Sequence, residues 1–300
     1  MIQDLSLLDQ KPDIEKYLKE IPEHLSAFSF TNIFVWKDFF QFDLKMIGGC
    51  LCVFANNATG CFLYLPPLGK TVTPEVIDEC FHIMEDINRG SGVTRIENVS
   101  AKQLLFFQDK KFVHRKKGYE YCYYRNDIAA LQGKLYKSKR SSYNQFIDGY
   151  RHQYLGYEER MADGCVKLYH RWAQERVKVY ADDIYGHMLK ENQKVHELVL
   201  RYYQQLGLTG RVVTVDGEIK AYSFGYPVND DMFCILLEIA DLDIKGLPVY
   251  MFREFCRDGA LQTYKFINVM DDFGMENIQK TKMSFRPAAL LLSYVVTREK

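Results

Sequence analysis

The strongest constraint on the fold is an order of elements that recurs in the two halves of the chain. In the first half, short strands lead to the loop PPLG at 66–69, a helix, the strand RIENV and a short helix. In the second half, short strands lead to EIADLDIKG at 238–246, a helix, the strand FINV and a short helix. Asn98 and Asn268 fall at matching places. This recurrence predicts two copies of one α/β unit.

Strands and helices mix in each copy, so we expect an α/β fold with mixed sheets and two tandem domains, at 1–126 and 127–300. Asp216-Gly217 between two apolar runs predicts a tight hairpin. Residues 112–115 and 119–124 are expected to be separate strands. A unit of this kind, in which central strands splay around a ligand, resembles the acyl-CoA N-acyltransferase (GNAT) fold.

Charge and composition limit the possible functions. Lys+Arg and Asp+Glu both number 39, and this zero net charge argues against general nucleic-acid binding. No apolar run reaches the roughly 18 residues of a membrane span, and no secretory signal is visible, so a cytoplasmic location is expected. The eight cysteines lack a CxxC pair and the seven histidines are scattered. We therefore expect reduced, mostly buried thiols and no metal site.

Residues 265–287 have the pattern of a ligand site. The polar residues that follow its short apolar strand are Asn268, Asp271, Asp272, Lys280, Lys282, Ser284 and Arg286. Glu238 and Asp241 end the preceding strand, and the carboxyl ends of neighbouring strands form ligand sites in α/β sheets. The alternative is a plain strand–turn–helix, in which the acids cap helices and the lysines face water or pair with acids.

Residues 126–152 interrupt the alternation with a basic helix. Its cations are Lys134, Lys137, Lys139, Arg140 and Arg151. Such a cluster indicates either a solvated helix face or a phosphate contact, with the backbone of an aminoacyl-tRNA acceptor end or with a pyrophosphate. Both interpretations stay open at this point.

Several segments together resemble a known family. The first half contains an N-x-F-x-W-x-D segment and a PLG, formed by Asn32, Phe34, Trp36, Asp38 and residues 67–69. The middle matches a KxxKKRNxxNxF-like helix through Lys137, Lys139, Arg140, Asn144 and Phe146. The end matches N-x-x-x-D-x-G…KxS-x-x-P through Asn268, Asp272, Gly274, Lys282, Ser284 and Pro287. The chain is thus similar to a family of unknown function related to the C-terminal catalytic domain of phosphatidylglycerol lysyltransferase.

The resemblance implies tandem GNAT-like domains and a distant relationship to the Fem aminoacyltransferases. GNAT members that use acetyl-CoA carry a Q/R-x-x-G-x-G/A loop that binds the pyrophosphate. Residues 241–248, DLDIKGLP, contain only Gly246, which cannot supply the same nest of backbone N–H groups. Standard CoA binding is therefore in question, and the candidate donors are aminoacyl-tRNA and acyl-CoA.

These features predict acyl or aminoacyl transfer. The catalytic candidates are Asp272, Lys282, Asp271 and Glu238. The substrate-binding candidates are Asn268, Asp241, Lys280, Ser284, Arg286, Lys137, Lys139, Arg140 and Asn144. A carboxylate would hold the donor's α-amino group or take the acceptor's proton, and cations would stabilise the oxyanion. The alternative is a non-catalytic ligand-binding module with the same fold; the oligomeric state is left open.

Overall fold

The structure, a computed structural model, describes residues 7–179 and 183–299. The α-helices in this part of the chain are α1 (Lys11–Lys19), α2 (Phe30–Val35), α3 (Pro74–Asn88), α4 (Arg125–Ala130), α5 (Lys137–Gly149), α6 (Ala162–Val179), α7 (Asp183–Leu206), α8 (Leu247–Arg257) and α9 (Glu276–Met283). The strands are β1 (Gln41–Ile47), β2 (Cys50–Asn57), β3 (Gly60–Leu63), β4 (Ile96–Ser100), β5 (Phe112–Tyr124), β6 (His152–Gly156), β7 (Thr209–Val215), β8 (Glu218–Pro227), β9 (Met232–Ala240), β10 (Phe266–Asn268) and β11 (Ala289–Arg298).

The chain divides into two compact units. The first unit comprises residues 1–121, 270–273 and 289–300, and the second comprises 122–269 and 274–288. These limits differ from the predicted 1–126 and 127–300 at the C-terminus, because β11 pairs with β4 and so belongs to the first unit. The sequence could not show this, since the partner of a strand depends on the assembled sheet.

In the first unit, the strand order is β1-β2-β3-β4-β11-β5. The parallel neighbours β3 and β4 share one residue pair, Leu63 with Ile96. Beyond that pair, Asn98 Nδ2 donates to the carbonyl oxygen of Tyr64 (2.9 Å), and the Tyr64 hydroxyl donates to Asn32 Oδ1 (2.5 Å). All three residues are buried. Hydrogen bonds from buried polar side chains therefore replace the backbone pairing between β3 and β4 after that single pair.

In the second unit, the end of β5 begins a sheet in the order β5-β10-β9-β8-β7-β6. The strand β10 is parallel to β9 and pairs with it only from Met232 to Cys234. The strand β9 continues for six more residues, to Ala240, without a partner on that side within the second unit. The predicted splaying of central strands is therefore present, and it opens beside the second half of β9.

Local structure agrees with the sequence at several positions. The hairpin between β7 and β8 turns at Asp216 (φ 51°) and Gly217 (φ 84°), as the Asp-Gly pair predicts. The hydroxyl of Ser29 accepts a hydrogen bond from the Thr31 amide (3.2 Å) and caps α2.

One prediction of local structure was wrong. The two strands predicted at 112–115 and 119–124 are one strand, because Gly118 keeps the extended conformation.

The eight cysteines are all buried, in agreement with the predicted buried thiols. The sulfur atoms of Cys52 and Cys80 are 3.5 Å apart. None of the helices among the described residues is both long enough and apolar enough to span a membrane.

Candidate active site

The candidate site lies where β9 diverges from β10. Glu238 lies on the half of β9 that β10 does not pair with, and it is exposed between the buried residues Leu237 and Ile239. Its side chain is accessible to water and yet has protein on nearly every side. Accessible surface measures contact with water, whereas desolvation depends on how much protein surrounds the group. From this combination we infer that Glu238 lines a recess in the surface.

The surroundings of Glu238 favour its protonated form. Desolvation raises the pKa of Glu238 from 4.5 to about 8, and the charge of Lys282 opposes this rise. Across the sheet, Glu238 pairs with Ser223 of β8, which is fully buried and whose hydroxyl has no hydrogen-bond partner among the described residues. Cys256 is also close enough to be affected by the carboxylate charge. A carboxyl group whose pKa lies near neutrality is suited to exchange protons with a substrate.

Lys282 supplies the cation of the site. Its ammonium group donates to the carbonyl oxygen of Val269 (2.6 Å), directly after β10. The hydroxyl of Tyr123 donates to the carbonyl oxygen of Lys282 (2.8 Å), which attaches the end of α9 to the sheet. Asn268 is fully buried at the last paired residue of β10. Three of the predicted residues, Glu238, Asn268 and Lys282, are thus assembled around the divergence of β9 and β10.

The basic helix α5 contacts the segment after α9 through one side chain. The ammonium group of Lys139 donates to Ser284 Oγ (2.6 Å) and lies 3.8 Å from the centroid of the Phe285 ring. Burial lowers the pKa of Lys139. Arg140 has a structural role, since its guanidinium donates to the carbonyl oxygens of Leu131 and of Gly133. Lys137 and Asn144 are exposed on the same helix.

Three other predicted residues have different surroundings. The carboxylate of Asp241 is buried, accepts from the guanidinium of Arg171 and lies 3.5 Å from Lys220 Nζ. Lys280 pairs with Glu276 (2.6 Å) on an exposed helix face. Arg286 is exposed, with a positive φ of 58°. Asp241 and Lys280 therefore fit the structural alternative of paired charges.

Asp271 and Asp272 belong to the first unit. The hydroxyl of Tyr121 donates to Asp272 Oδ2 (2.5 Å), and the Tyr121 amide donates to the carbonyl oxygen of Met270 (3.1 Å). Met270 and Phe273, on either side of the two acids, have positive φ values of 60° and 53°, which are uncommon for residues with a Cβ atom. The catalytic role of Asp271 and Asp272 stays a prediction.

The N-terminus of α8, where the pyrophosphate loop of acetyl-CoA-dependent GNAT members would end, is covered by α5. Gly246 has φ 83°, and a Cβ atom placed there would lie 2.0 Å from the carbonyl oxygen of Ser142. Leu247 N already donates to the carbonyl oxygen of Ile244, and Pro248 has no N–H group. This helix terminus therefore has neither the space nor the row of free N–H groups that a pyrophosphate requires.

A separate cavity of 780 Å³ lies between α6 and α7. Its walls include the rings of Tyr169, His170 and His187 and the side chains of Lys178 and Lys190. None of the predicted site residues lines it.

Ser223, Tyr123 and Cys256 are additional residues of the site that no sequence motif indicated. Ser223 faces Glu238 only because of the register between β8 and β9. Tyr123 reaches the site from β5, which lies far from residue 238 in the sequence, and Cys256 reaches it from α8, the helix that follows β9. The alternating apolar pattern of β8 could have indicated Ser223 as a polar residue on an inward face.

The two units and the diverging strands define a mixed α/β protein of the tandem GNAT type, and this predicted fold is confirmed. A tandem GNAT protein from the clavulanic acid biosynthesis pathway has the same fold, with a TM-score of 0.52, 9% identity, and coverage of 97% of this chain and 95% of that chain. FemX also shares the fold, with a TM-score of 0.55.

The chain belongs to the family described as phosphatidylglycerol lysyltransferase, C-terminal, whose model matches residues 18–297. A conserved protein of unknown function from Bacteroides thetaiotaomicron superposes with a TM-score of 0.86 and 22% identity, over 97% of each chain. L-PGS from Bacillus licheniformis superposes with a TM-score of 0.68 and 16% identity, over 96% of this chain and 91% of that chain. A search of curated proteins gives no match. The predicted family is confirmed, and it relates the chain to aminoacyltransferases.

Proposed function

We propose that the chain transfers an aminoacyl group from aminoacyl-tRNA to a hydroxyl or amine acceptor in the recess at Glu238. The observation that carries this proposal is a water-accessible carboxyl group, with its pKa raised to about 8, beside the cation Lys282. The family match supports transfer of an aminoacyl group. The covered N-terminus of α8 supports a donor other than acyl-CoA.

The chemistry follows from the two side chains. The carboxylate form of Glu238 takes the proton of the acceptor while the acceptor's oxygen or nitrogen attacks the ester carbonyl of the donor. The ammonium group of Lys282 stabilises the oxyanion that develops on the carbonyl oxygen. When the ester bond breaks, Glu238 returns the proton to the ribose hydroxyl that leaves. The hydrogen bond from Lys282 to Val269 fixes the position of the cation, which reduces the reorganisation needed during the reaction.

The direct test follows loss of the ester bond from charged tRNA. The purified chain is incubated with lysyl-tRNA and with a mixture of the other aminoacyl-tRNAs, in the presence of phosphatidylglycerol or of a free amine. We expect ester loss above the buffer rate, and we expect Glu238→Gln and Lys282→Met to lower it by about 10²–10³. Glu158→Gln is the matched control, because Glu158 is an exposed carboxylate of the second unit, paired with Arg160.

The second candidate function is a non-catalytic binding module of the same fold. The closed N-terminus of α8 favours it, because a transferase that has lost its cofactor loop can persist as a binder. Binding of aminoacyl-tRNA without ester loss, equal in the chain and in Glu238→Gln, would select this function. Absence of both ester loss and binding would refute the proposed donor.

A further inference from the structure

The cavity of 780 Å³ between α6 and α7 is a groove with a wall from each helix. Residues at spacings of three and four line it on both sides, which are His170, Ala173 and Val177 on α6 and Gly186, Lys190 and Gln193 on α7. This spacing puts the residues of each helix on one face. From His170 to Lys178 the α6 wall rises about 12 Å, which is long enough for a molecule of two fused rings.

Small residues keep the groove open. Gly186 lies within α7 and is not among the residues with positive φ, so its backbone conformation does not require glycine. A Cβ atom placed at Gly186 would have no atom of the described residues within 4 Å, so close packing does not require glycine either. Glycine inside a helix costs stability relative to alanine. Gly186 therefore contributes open space to the cavity rather than packing to the fold.

The charged groups of the lining are all of one kind. They are Lys178, Lys190, His170 and His187, and no aspartate or glutamate lines the cavity among the described residues. Lys178 pairs with Glu175 (2.6 Å), which lies outside the lining. Lys190 is exposed and forms no ion pair within 7–179 and 183–299. The cavity therefore favours an anion over a neutral molecule or a cation.

The rest of the lining is largely apolar and contains rings. The hydroxyl of Tyr169 on α6 donates to the carbonyl oxygen of Leu189 on α7 (2.7 Å), and both residues are buried. This bond joins the two helices at the inner part of the cavity, so the groove is formed before any ligand enters. Val177 is 45% exposed, and the rings of His170 and His187 come from different helices. A flat apolar molecule would cover Val177 and meet a ring from either wall.

We propose that the cavity between α6 and α7 is a binding site for a small aromatic carboxylate. The carboxylate pairs with Lys190, and the ring system lies in the groove against Val177 and the imidazole rings. Inorganic phosphate would use the cations but would leave Val177 in water, and an aliphatic acid would not stack on the rings. The proposal goes beyond aminoacyl transfer and does not depend on it.

Isothermal titration of the full chain with naphthoate tests the site, and naphthamide is the comparison because it has the same rings and no charge. We expect naphthoate to bind, and naphthamide to bind at least about tenfold more weakly. Lys190→Gln should weaken naphthoate binding about fivefold. Gly186→Leu should weaken it by about tenfold or more, because the new side chain fills the groove. Leucine favours a helix over glycine, so thermal unfolding should show that this variant is folded.

The chain offers a matched control for each change. Lys167 is an exposed lysine of α6 outside the lining, so Lys167→Gln removes the same charge without touching the cavity. Gly149 ends α5 and also has no atom within 4 Å of a new Cβ among the described residues, so Gly149→Leu repeats the steric change elsewhere. Both controls should bind naphthoate as the wild type does.

Three results would overturn the proposal. The first is equal affinity for naphthoate and naphthamide, which would remove the role of charge. The second is displacement of naphthoate by equal concentrations of inorganic phosphate or octanoate, which would remove the role of the aromatic rings. The third is unchanged naphthoate binding in a folded Gly186→Leu variant, which would place the binding outside this cavity.

Discussion

Replacement of Glu238 by glutamine should make the protein more stable at neutral and alkaline pH. The folded protein holds the proton of Glu238 more tightly than the unfolded chain does, because desolvation raises the pKa of this group from 4.5 to about 8. Below pH 4.5 both states are protonated and the group has no effect. As the pH rises toward 8, the unfolded chain ionises freely while the folded state resists, so stability falls. Glutamine keeps the shape and the hydrogen-bonding capacity and carries no charge.

The size of the effect follows from the pKa and from solvent access. Full burial with this pKa would correspond to about 5 kcal/mol once the group is ionised in both states. Glu238 is exposed to water, which screens the charge and reduces the expected loss to about 1–2 kcal/mol. This loss of stability is consistent with a functional role for Glu238, since groups that act on a substrate often lower the stability of the fold that holds them.

Urea unfolding at several values from about pH 5 to about pH 9 measures the effect, with the variant subtracted from the wild type at each pH so that all other titrating groups cancel. Glu158→Gln serves as the control, because Glu158 is exposed and the Arg160 guanidinium lowers its pKa. The expected result is a difference that grows with pH for Glu238→Gln and stays flat for Glu158→Gln. Identical pH profiles for wild type and Glu238→Gln would refute the raised pKa and the recess that explains it.

Two further predictions concern the buried packing of the second unit. His196 is buried and its Nδ1 lies 2.7 Å from the Tyr222 hydroxyl, and burial lowers the pKa of His196 to about 3. The unfolded chain therefore takes up a proton first as the pH falls below 6.5. In urea unfolding, the free energy of unfolding of the wild type minus that of His196→Gln, a difference in which the contribution of Glu238 cancels, should be about 2 kcal/mol lower at about pH 5 than at neutral pH. Gly246→Ala should destabilise by about 3 kcal/mol or more in thermal or urea unfolding, because its Cβ atom would collide with the Ser142 carbonyl oxygen. Gly90→Ala, with a similar φ of 86° and no atom within 4 Å of the new Cβ, should cost only about 1 kcal/mol; equal losses at both glycines would contradict the close approach.

Much of the local structure could be predicted because it depends on neighbours in the sequence. The Asp216-Gly217 turn and the repeated order of elements both rest on backbone preferences that act over a few residues. The strand-end pattern at Glu238 and the motif residues Asn268 and Lys282 fall near the divergence of β9 and β10, and their roles stay predictions. The separation of β5 into two strands was wrong, because a glycine is equally compatible with extended backbone and with a turn.

The sequence by itself determined the elements, the tandem α/β class and the kinds of side chain available for chemistry. Only the tertiary structure decided which charged side chains already have partners. Asp241 pairs with Arg171, 70 residues away, and Lys139 donates a hydrogen bond to Ser284, 145 residues away. It also decided that Ser223 lies opposite Glu238. The physical reason is that ion pairs, desolvation and the raised pKa of Glu238 depend on distances between remote segments, which the register and divergence of strands set only when the sheet assembles.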